Sequence, residues 1–339
     1  MSLLEKNIEA LKFYLEPLND LLHDNSINEI SINEAQSGYI ERGGLITLTP
    51  LPQLTHYWLE GLAQLIARFS DQRLSKNEPL LSARLPAGHR IQIVLPPASE
   101  KIVMSIRKQV VQNLSLDDYV EQGVFDKVKP CSTKYHREKL NSDDQELSQL
   151  FTAKKYDAFL KTAIFQKKNI LISGGTSTGK TTFLNACLQE IPLNERIITL
   201  EDVREVKIPH PNKVHLLASK GEQGIAKVSM SQLVETCLRL RPDRIIMGEM
   251  RGSEAADFLN ATATGHDGSL ASIHASSPNI AFMRLVHMIK LNPAMNNVKP
   301  EDLLENLHDI IDIVVQIKRD RVGDNYLRYI SEIYSAFNS

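Results

Sequence analysis

The sequence predicts an α/β fold in two domains: a mainly parallel sheet covered by helices in the carboxy-terminal part, and a smaller α+β unit before it. Three observations predict it. The chain has 339 residues, 24% charged and 42% hydrophobic, enough for about two ordinary globular cores. From about residue 145 onward, short apolar runs alternate with segments of helical spacing, the pattern of strands joined by crossover helices. Within that region the stretch Gly174-Gly175-Thr176-Ser177-Thr178-Gly179-Lys180-Thr181-Thr182 stands between a strand-like run and a helix-like run.

Leu4, Ile8, Leu11, Leu15, Leu18 and Leu22 repeat at helical spacing, so the chain opens on a helix with one apolar stripe, kinked or restarted near Pro17. Its polar face carries Glu5, Glu9, Glu16 and Asp20, which suits packing against a neighbouring element better than binding anionic lipid. β-like runs follow at Ile27 to Ile32, Gly38 to Glu41 and Leu45 to Leu48, punctuated by Gly43-Gly44, and then a helix from about Leu54 to Phe69. Strands at Arg90 to Leu95 and Ile102 to Arg107 close an N-terminal domain over residues 1–112.

Ser115 opens a short helix that Gly123 ends. From Asp126 to Asp144 the chain is polar and charged, with Pro130 and few large apolar residues. Lys127, Lys129, Lys134, Arg137 and Lys139 cluster there with Tyr135 as the one aromatic, a composition that reads as a solvated tether rather than a nucleic-acid site. Residues 113–144 therefore read as a linker and 145–339 as the second domain. In that domain strands are expected at Asn169 to Ser173, Arg196 to Leu200, Arg244 to Met247 and Ser269 to Ile273. Helices are expected near Thr181 to Gln189, Ser229 to Leu240, Ser253 to Thr264 and Asn279 to Lys290. Ile310 to Lys318 and Tyr326 to Ile333, joined by a turn at Gly323-Asp324, read as a closing hairpin.

A formal net charge of −2 gives no overall attraction to nucleic acid or to anionic lipid. Cys131, Cys187 and Cys237 lie far apart, without the CxxC pairs of a zinc site or the even count of a disulfide framework, which fits a reducing cytosol. Glu5, Lys6 and Glu9 interrupt any signal-peptide core, and no apolar run reaches about 18 residues, so the expectation is a cytosolic protein that is neither exported nor membrane-spanning.

The glycine-rich stretch fits GxxxxGK(S/T), the spacing of a phosphate-binding loop. Glycines let the backbone curl so that successive N–H groups point at phosphate oxygens, and the following helix adds the positive end of its dipole. Lys180 then reaches the β- and γ-phosphates and Thr181 ligates magnesium. Polar residues suited to phosphate chemistry follow the carboxyl end of each predicted strand, where open α/β sheets bind their ligands. They are the loop itself, then Glu201-Asp202-Val203-Arg204-Glu205, then Gly248-Glu249, then His274.

Glu249 is the candidate to orient or deprotonate the attacking water. Asp243, six extended residues earlier and about 20 Å away, has a structural role instead. One of Glu201, Asp202 and Glu205 acts near the metal, and composition leaves open which. His274 and, less decisively, His266 are candidates to sense the γ-phosphate. Hydrolysis also needs cationic charge near the leaving phosphate, for which Arg90, Arg107, Arg204, Arg241 and Arg251 are equal candidates. No NKxD sequence is present, so ATP is favoured over GTP.

Taken together, GGTSTGKTT, IITLEDVREV, CLRLRPDRIIMGEMRGSEAADFL and TGHDGSLASIHA resemble the secretion ATPase superfamily, and within it the hexameric traffic ATPases of bacterial VirB-type type IV secretion systems. The amino-terminal segments PLLSARLPAGHRIQIVLPP and IVMSIRK fit as well. The resemblance implies a RecA-like carboxy-terminal ATPase domain with a sensor-like amino-terminal domain, arranged as a homo-hexameric double ring. It implies ATP and Mg2+ as cofactors, with Glu205 helping Thr181 hold the metal and Glu249 activating water. His274 matches the second histidine of the family's histidine motif. Arg90 and Arg107 fall where amino-terminal arginines approach the phosphates, and Arg241 is a further expected phosphate contact. The expected setting is the cytosolic face of the inner membrane, with inner-membrane secretion components as partners, peripheral membrane contact and no direct nucleic-acid binding. The alternatives are a type IV pilus or type II secretion motor, whose branch typically carries a four-cysteine zinc insert that this chain lacks, and, from another class, a DNA-dependent RecA-like motor.

Overall fold

The computed structural model describes residues 3–108, 114–133, 135, 137, 139–218, 228–323 and 325–338. Lys134 of the basic cluster and Asp324 of the hairpin turn lie outside the described residues. The chain divides into two compact units: one is residues 1–111 with 220–227 and 321–326, the other 112–219, 228–320 and 327–339.

In the first unit, helix α1 (Leu3–Leu15) is followed by a 3-10 turn over Glu16–Leu18, where Pro17 interrupts regular helix, and by the short α2 (Asn19–His23). Strands β1 (Ile27–Glu34), β2 (Ser37–Arg42) and β3 (Leu45–Pro50), helix α3 (His56–Phe69), and strands β4 (Leu80–Arg84), β5 (Arg90–Val94) and β6 (Val103–Arg107) complete it. The six strands form one antiparallel sheet in the order β3-β2-β1-β6-β5-β4. Alternation sets its two faces. Ile30, Ile40, Ile91, Ile93, Met104 and Ile106 turn inward onto Leu11, Leu15, Leu59, Leu62 and Ile66 of the helices. On the other face the register lines up Glu41, Glu29, Arg107, Arg90 and Arg84 across neighbouring strands. Strand β4 is an addition to the sequence expectation.

The second unit begins with α4 (Leu116–Glu121), whose capping box pairs Ser115 with Asp118, and continues through β7 (Lys129–Pro130), α5 (Ser142–Thr152) and α6 (Tyr156–Phe165). Then come β8 (Ile170–Gly174), α7 (Lys180–Gln189), β9 (Ile197–Glu201), β10 (Lys213–Leu217), α8 (Met230–Arg239), β11 (Arg244–Met250), α9 (Glu254–Ala263) and β12 (Leu270–Ile273). Helices α10 (Pro278–Ile289) and α11 (Pro300–Ile310) precede the hairpin strands β13 (Ile313–Val322) and β14 (Asn325–Ser335). The sheet order is β10-β9-β11-β12-β8-β13-β14-β7, and neighbouring strands from β10 to β13 run parallel. β8, β9 and β12 are buried throughout, as a sheet covered on both faces requires.

The linker departs from the expected solvated tether. The Cys131 amide donates to Ile333 O at 2.8 Å and the Arg137 amide to Ala336 O at 2.9 Å, so both residues are tied to the last strand and the residue after it. Tyr135 stacks on His308 at 4.1 Å between ring centres, and Arg137 pairs with the buried Asp312 at 2.6 Å.

Candidate active site at the phosphate loop

Strand β8 delivers the loop, and sterics shape it. A Cβ on Gly174 would lie 2.7 Å from Thr178 Oγ1 and 2.8 Å from the main-chain oxygen of Ile317 on β13, so only glycine fits there. Ser177 and Gly179 take left-handed backbone, with φ of 59° and 96°. For Gly179 that conformation is unstrained, and it turns the chain into α7 without a side-chain cap, leaving the helix's first N–H groups to the ligand. The Thr178 hydroxyl donates to Gly175 O at 2.9 Å and closes the loop on itself. Lys180 Nζ donates to the carbonyls of Gly174 and Gly175, both at 3.0 Å, and stands 3.3 Å from His274 Nε2.

The acidic segment after β9 separates into three roles. Glu201 is buried, and its Oε1 accepts from the amides of Glu205 at 2.7 Å and Val206 at 2.8 Å, so it shapes the segment rather than facing a metal. Asp202 is bonded to Arg251. Glu205 turns toward the loop, where its Oε2 accepts from the Thr181 hydroxyl at 3.2 Å. Asn185 on α7 fixes the far side of the segment by accepting from the Lys207 amide at 2.9 Å.

Glu249 owes its placement to a bulge. Met247 faces Ala271 and Met250 faces Ile273, so Gly248 and Glu249 together stand against the single Ser272. Such a bulge re-aims a side chain beside a site. The Ser272 hydroxyl secures it by donating to Gly248 O at 2.6 Å. Glu249 Oε2 accepts from Arg251 Nε at 2.9 Å and from its Nη2. Oε1 is buried, makes no well-directed hydrogen bond, and lies 2.8 Å from His274 Nε2.

His274 sits just past β12, on the adjacent strand. Burial and then the Lys180 ammonium hold its pKa below the ordinary value, against a smaller opposing pull from Glu249, so the ring is neutral near pH 7. A neutral Nε2 either accepts from Lys180 or donates to Glu249, and the tautomer chooses between them.

The remaining predicted residues divide by position. Arg90 and Arg107 stand directly opposite one another on β5 and β6 of the first unit. Arg241 precedes β11, at the end of that strand opposite Glu249. Its left-handed φ of 54° belongs to the turn into the strand. Asp243 lies at that same end and accepts from the Arg196 amide at 2.6 Å, the structural role expected of it. His266 precedes β12 and contacts Ala261 O at 3.1 Å, away from the loop. Sequence reasoning missed the bulge and the Arg251 contacts; Arg251 had been visible only as one of five arginines.

A sequence profile described as "Type II/IV secretion system protein" matches residues 14–316. The chain belongs to that family. It is 39% identical over 334 residues to the type IV secretion system protein VirB11 of Brucella suis, covering 97% of this chain and 91% of the relative. The VirB11 protein of Rhizobium radiobacter is 33% identical over 310 residues, covering 91% and 90%. The crystal structure of the Brucella suis VirB11 ATPase in complex with sulphate matches with a TM-score of 0.54 at 38% identity, covering 96% of this chain and 97% of that one. The pilus retraction motor PilT with bound ADP shares the fold, with a TM-score of 0.57 at 18% identity, 99% of this chain and 83% of that one being covered. This member of the type II/IV secretion family is an ATPase with the α/β architecture expected from its sequence.

Proposed function

We propose that the chain is a homo-hexameric, magnesium-dependent motor that hydrolyses ATP at the cytosolic face of the inner membrane, powering assembly of, or transfer through, a type IV secretion system. One observation carries the reading: Lys180, His274 and Glu249, from three adjacent strand ends, are in contact beside the Thr181–Glu205 pair. Likeness to VirB11 proteins over nearly the whole chain supports the secretion setting. Among the described residues no helix is long and apolar enough to cross a membrane.

The phosphate loop and the N-terminus of α7 bind the phosphate chain, and Lys180 leaves the loop carbonyls for the β- and γ-phosphates. Thr181 and Glu205 present hard oxygen donors suited to magnesium. When bound, magnesium neutralises charge on the phosphates. Glu249 offers Oε1 to the attacking water, and neutral His274 reports the γ-phosphate to it. Arg90 and Arg107, on one face of the first unit, supply cationic charge as a closing pair.

Phosphate release by the purified protein, with Lys180→Ala beside it, tests the site. Turnover should vanish in the variant, and full turnover in it refutes the assignment. Mass in solution with and without ATP should show six copies; a monomer in both conditions refutes the ring. Stimulation by DNA with steep salt dependence would favour the DNA-motor alternative.

A further inference from the structure

Arg251 joins two strand ends of the second unit. It follows β11 directly, on a turn built by Glu254, whose Oε1 accepts from the amides of Arg251 and Gly252, both at 2.8 Å. The guanidinium then forks. Nε and Nη2 donate to Glu249 Oε2, while Nη1 donates to Asp202 on the segment after β9. β9 and β11 are neighbours in the sheet, so the fork ties two strand ends together across the floor of the site.

The arrangement solves a problem that the bulge creates. Glu249 sits where the β11 ladder is broken, and a glutamate has three side-chain torsions with which to wander. His274 lies beside Oε1 without a well-directed hydrogen bond, so it holds the carboxylate weakly. Arg251 holds Oε2, and planar fork geometry fixes direction as well as distance. Asp202 in turn holds Arg251, whose side chain is 45% exposed and would otherwise swing into solvent.

We propose that Arg251 is a positioning residue for hydrolysis: anchored on Asp202, it holds Glu249 so that Oε1 faces the attacking water. The proposal rests on the water-activating role given to Glu249 above. It assigns Asp202 to the anchor rather than to magnesium, and it gives Arg251 no contact with nucleotide.

The test uses the full chain and compares Arg251→Gln, Arg251→Lys, Asp202→Asn and the double variant Arg251→Gln/Asp202→Asn, with Glu249→Gln as reference. Three quantities are measured: kcat by phosphate release, affinity for a fluorescent ATP analogue, and Tm. Arg251→Gln should lower kcat on the order of 10- to 100-fold, the loss that misplacement by about 1 Å produces. Affinity should stay within about twofold and Tm should hold, since an exposed side chain carries little packing. Arg251→Lys, retaining charge but one donor group, should recover part of the rate. Asp202→Asn should lower kcat alone but add nothing to Arg251→Gln, because the anchor acts only through the arginine.

Additive losses from Arg251→Gln and Asp202→Asn overturn the proposal and return Asp202 to the metal. A loss of nucleotide affinity matching the loss of kcat overturns it too, by placing Arg251 on the phosphates. Turnover lost in Glu249→Gln but kept in Arg251→Gln removes the clamp alone. Full turnover in Glu249→Gln removes the role of Glu249, and the clamp with it.

Discussion

Glu249→Gln replaces one oxygen by an amide nitrogen at almost constant shape, and the neighbours dictate which oxygen is lost. Arg251 offers only donors, so the glutamine oxygen must take the place of Oε2, where it accepts from Nε and Nη2. The NH2 group is thereby forced into the place of Oε1, the buried atom 2.8 Å from His274. A position that could accept a proton from water becomes a donor. Loss of a positioned general base removes about 10²- to 10⁴-fold in rate, or about 3–5 kcal/mol of barrier. ATP binding should not weaken, because the variant removes a negative charge from a site that binds a polyanion. The assay pairs single-turnover phosphate release with equilibrium binding of an ATP analogue to the same samples. A rate within tenfold of the unaltered protein, or a fall in affinity as large as the fall in rate, would refute the reasoning.

Gly174→Ala should damage the loop, since its Cβ meets Ile317 O at 2.8 Å; overpacking of this kind costs about 1–3 kcal/mol, read as a lower Tm together with weaker nucleotide binding. Arg244 is fully buried and forks onto Glu195 at 2.8 and 2.9 Å, so Arg244→Met should cost about 3–5 kcal/mol by leaving the carboxylate only the more distant Lys167 at 3.6 Å as a cationic partner. At about 2–4 °C per kcal/mol for a domain of this size, Tm should fall by about 6–20 °C, and adding Glu195→Leu should recover most of it. Burial foremost depresses His89, His210, His215 and His274 below the ordinary value near 6.5. Below that value the unfolded chain binds more protons than the folded one, so Tm should decline as pH drops from 7.5 to 5.5, and a flat profile would contradict the assignment.

What could be read from the sequence and what could not divide along physical lines. β8, β9, β11 and β12 announce themselves because a buried parallel strand is a short, nearly continuous apolar run, and the polar residues ending each run mark the site. Lys180, Glu249 and His274 were legible for that reason. β10 was not, because KVHLL at the sheet margin is only partly buried and carries no clear alternation. The linker misled because its attachments combine main-chain bonds at Cys131 and Arg137, to which composition is blind, with side-chain partners distant in sequence, His308 for Tyr135 and Asp312 for Arg137. The bulge at Gly248-Glu249 depends on register against β12, a relation between two segments that neither shows alone. Among the acidic residues, Glu201, Asp202 and Glu205 look alike in sequence, and only their separate partners sort them.

The neighbours of β8 bear on how the protein is made. On one side it pairs with β12, and on the other with Ile313 to Ile317 of β13, near the end of the chain. A nascent polypeptide therefore carries its phosphate loop on a strand with one open edge until residues 313–317 emerge. Such a half-built platform is ready to pair with the wrong partner and unready to hold a ligand. Competence to bind waits for β13, and truncation products ending before residue 313 should reach the cell as substrates for chaperones rather than as idle copies of the enzyme.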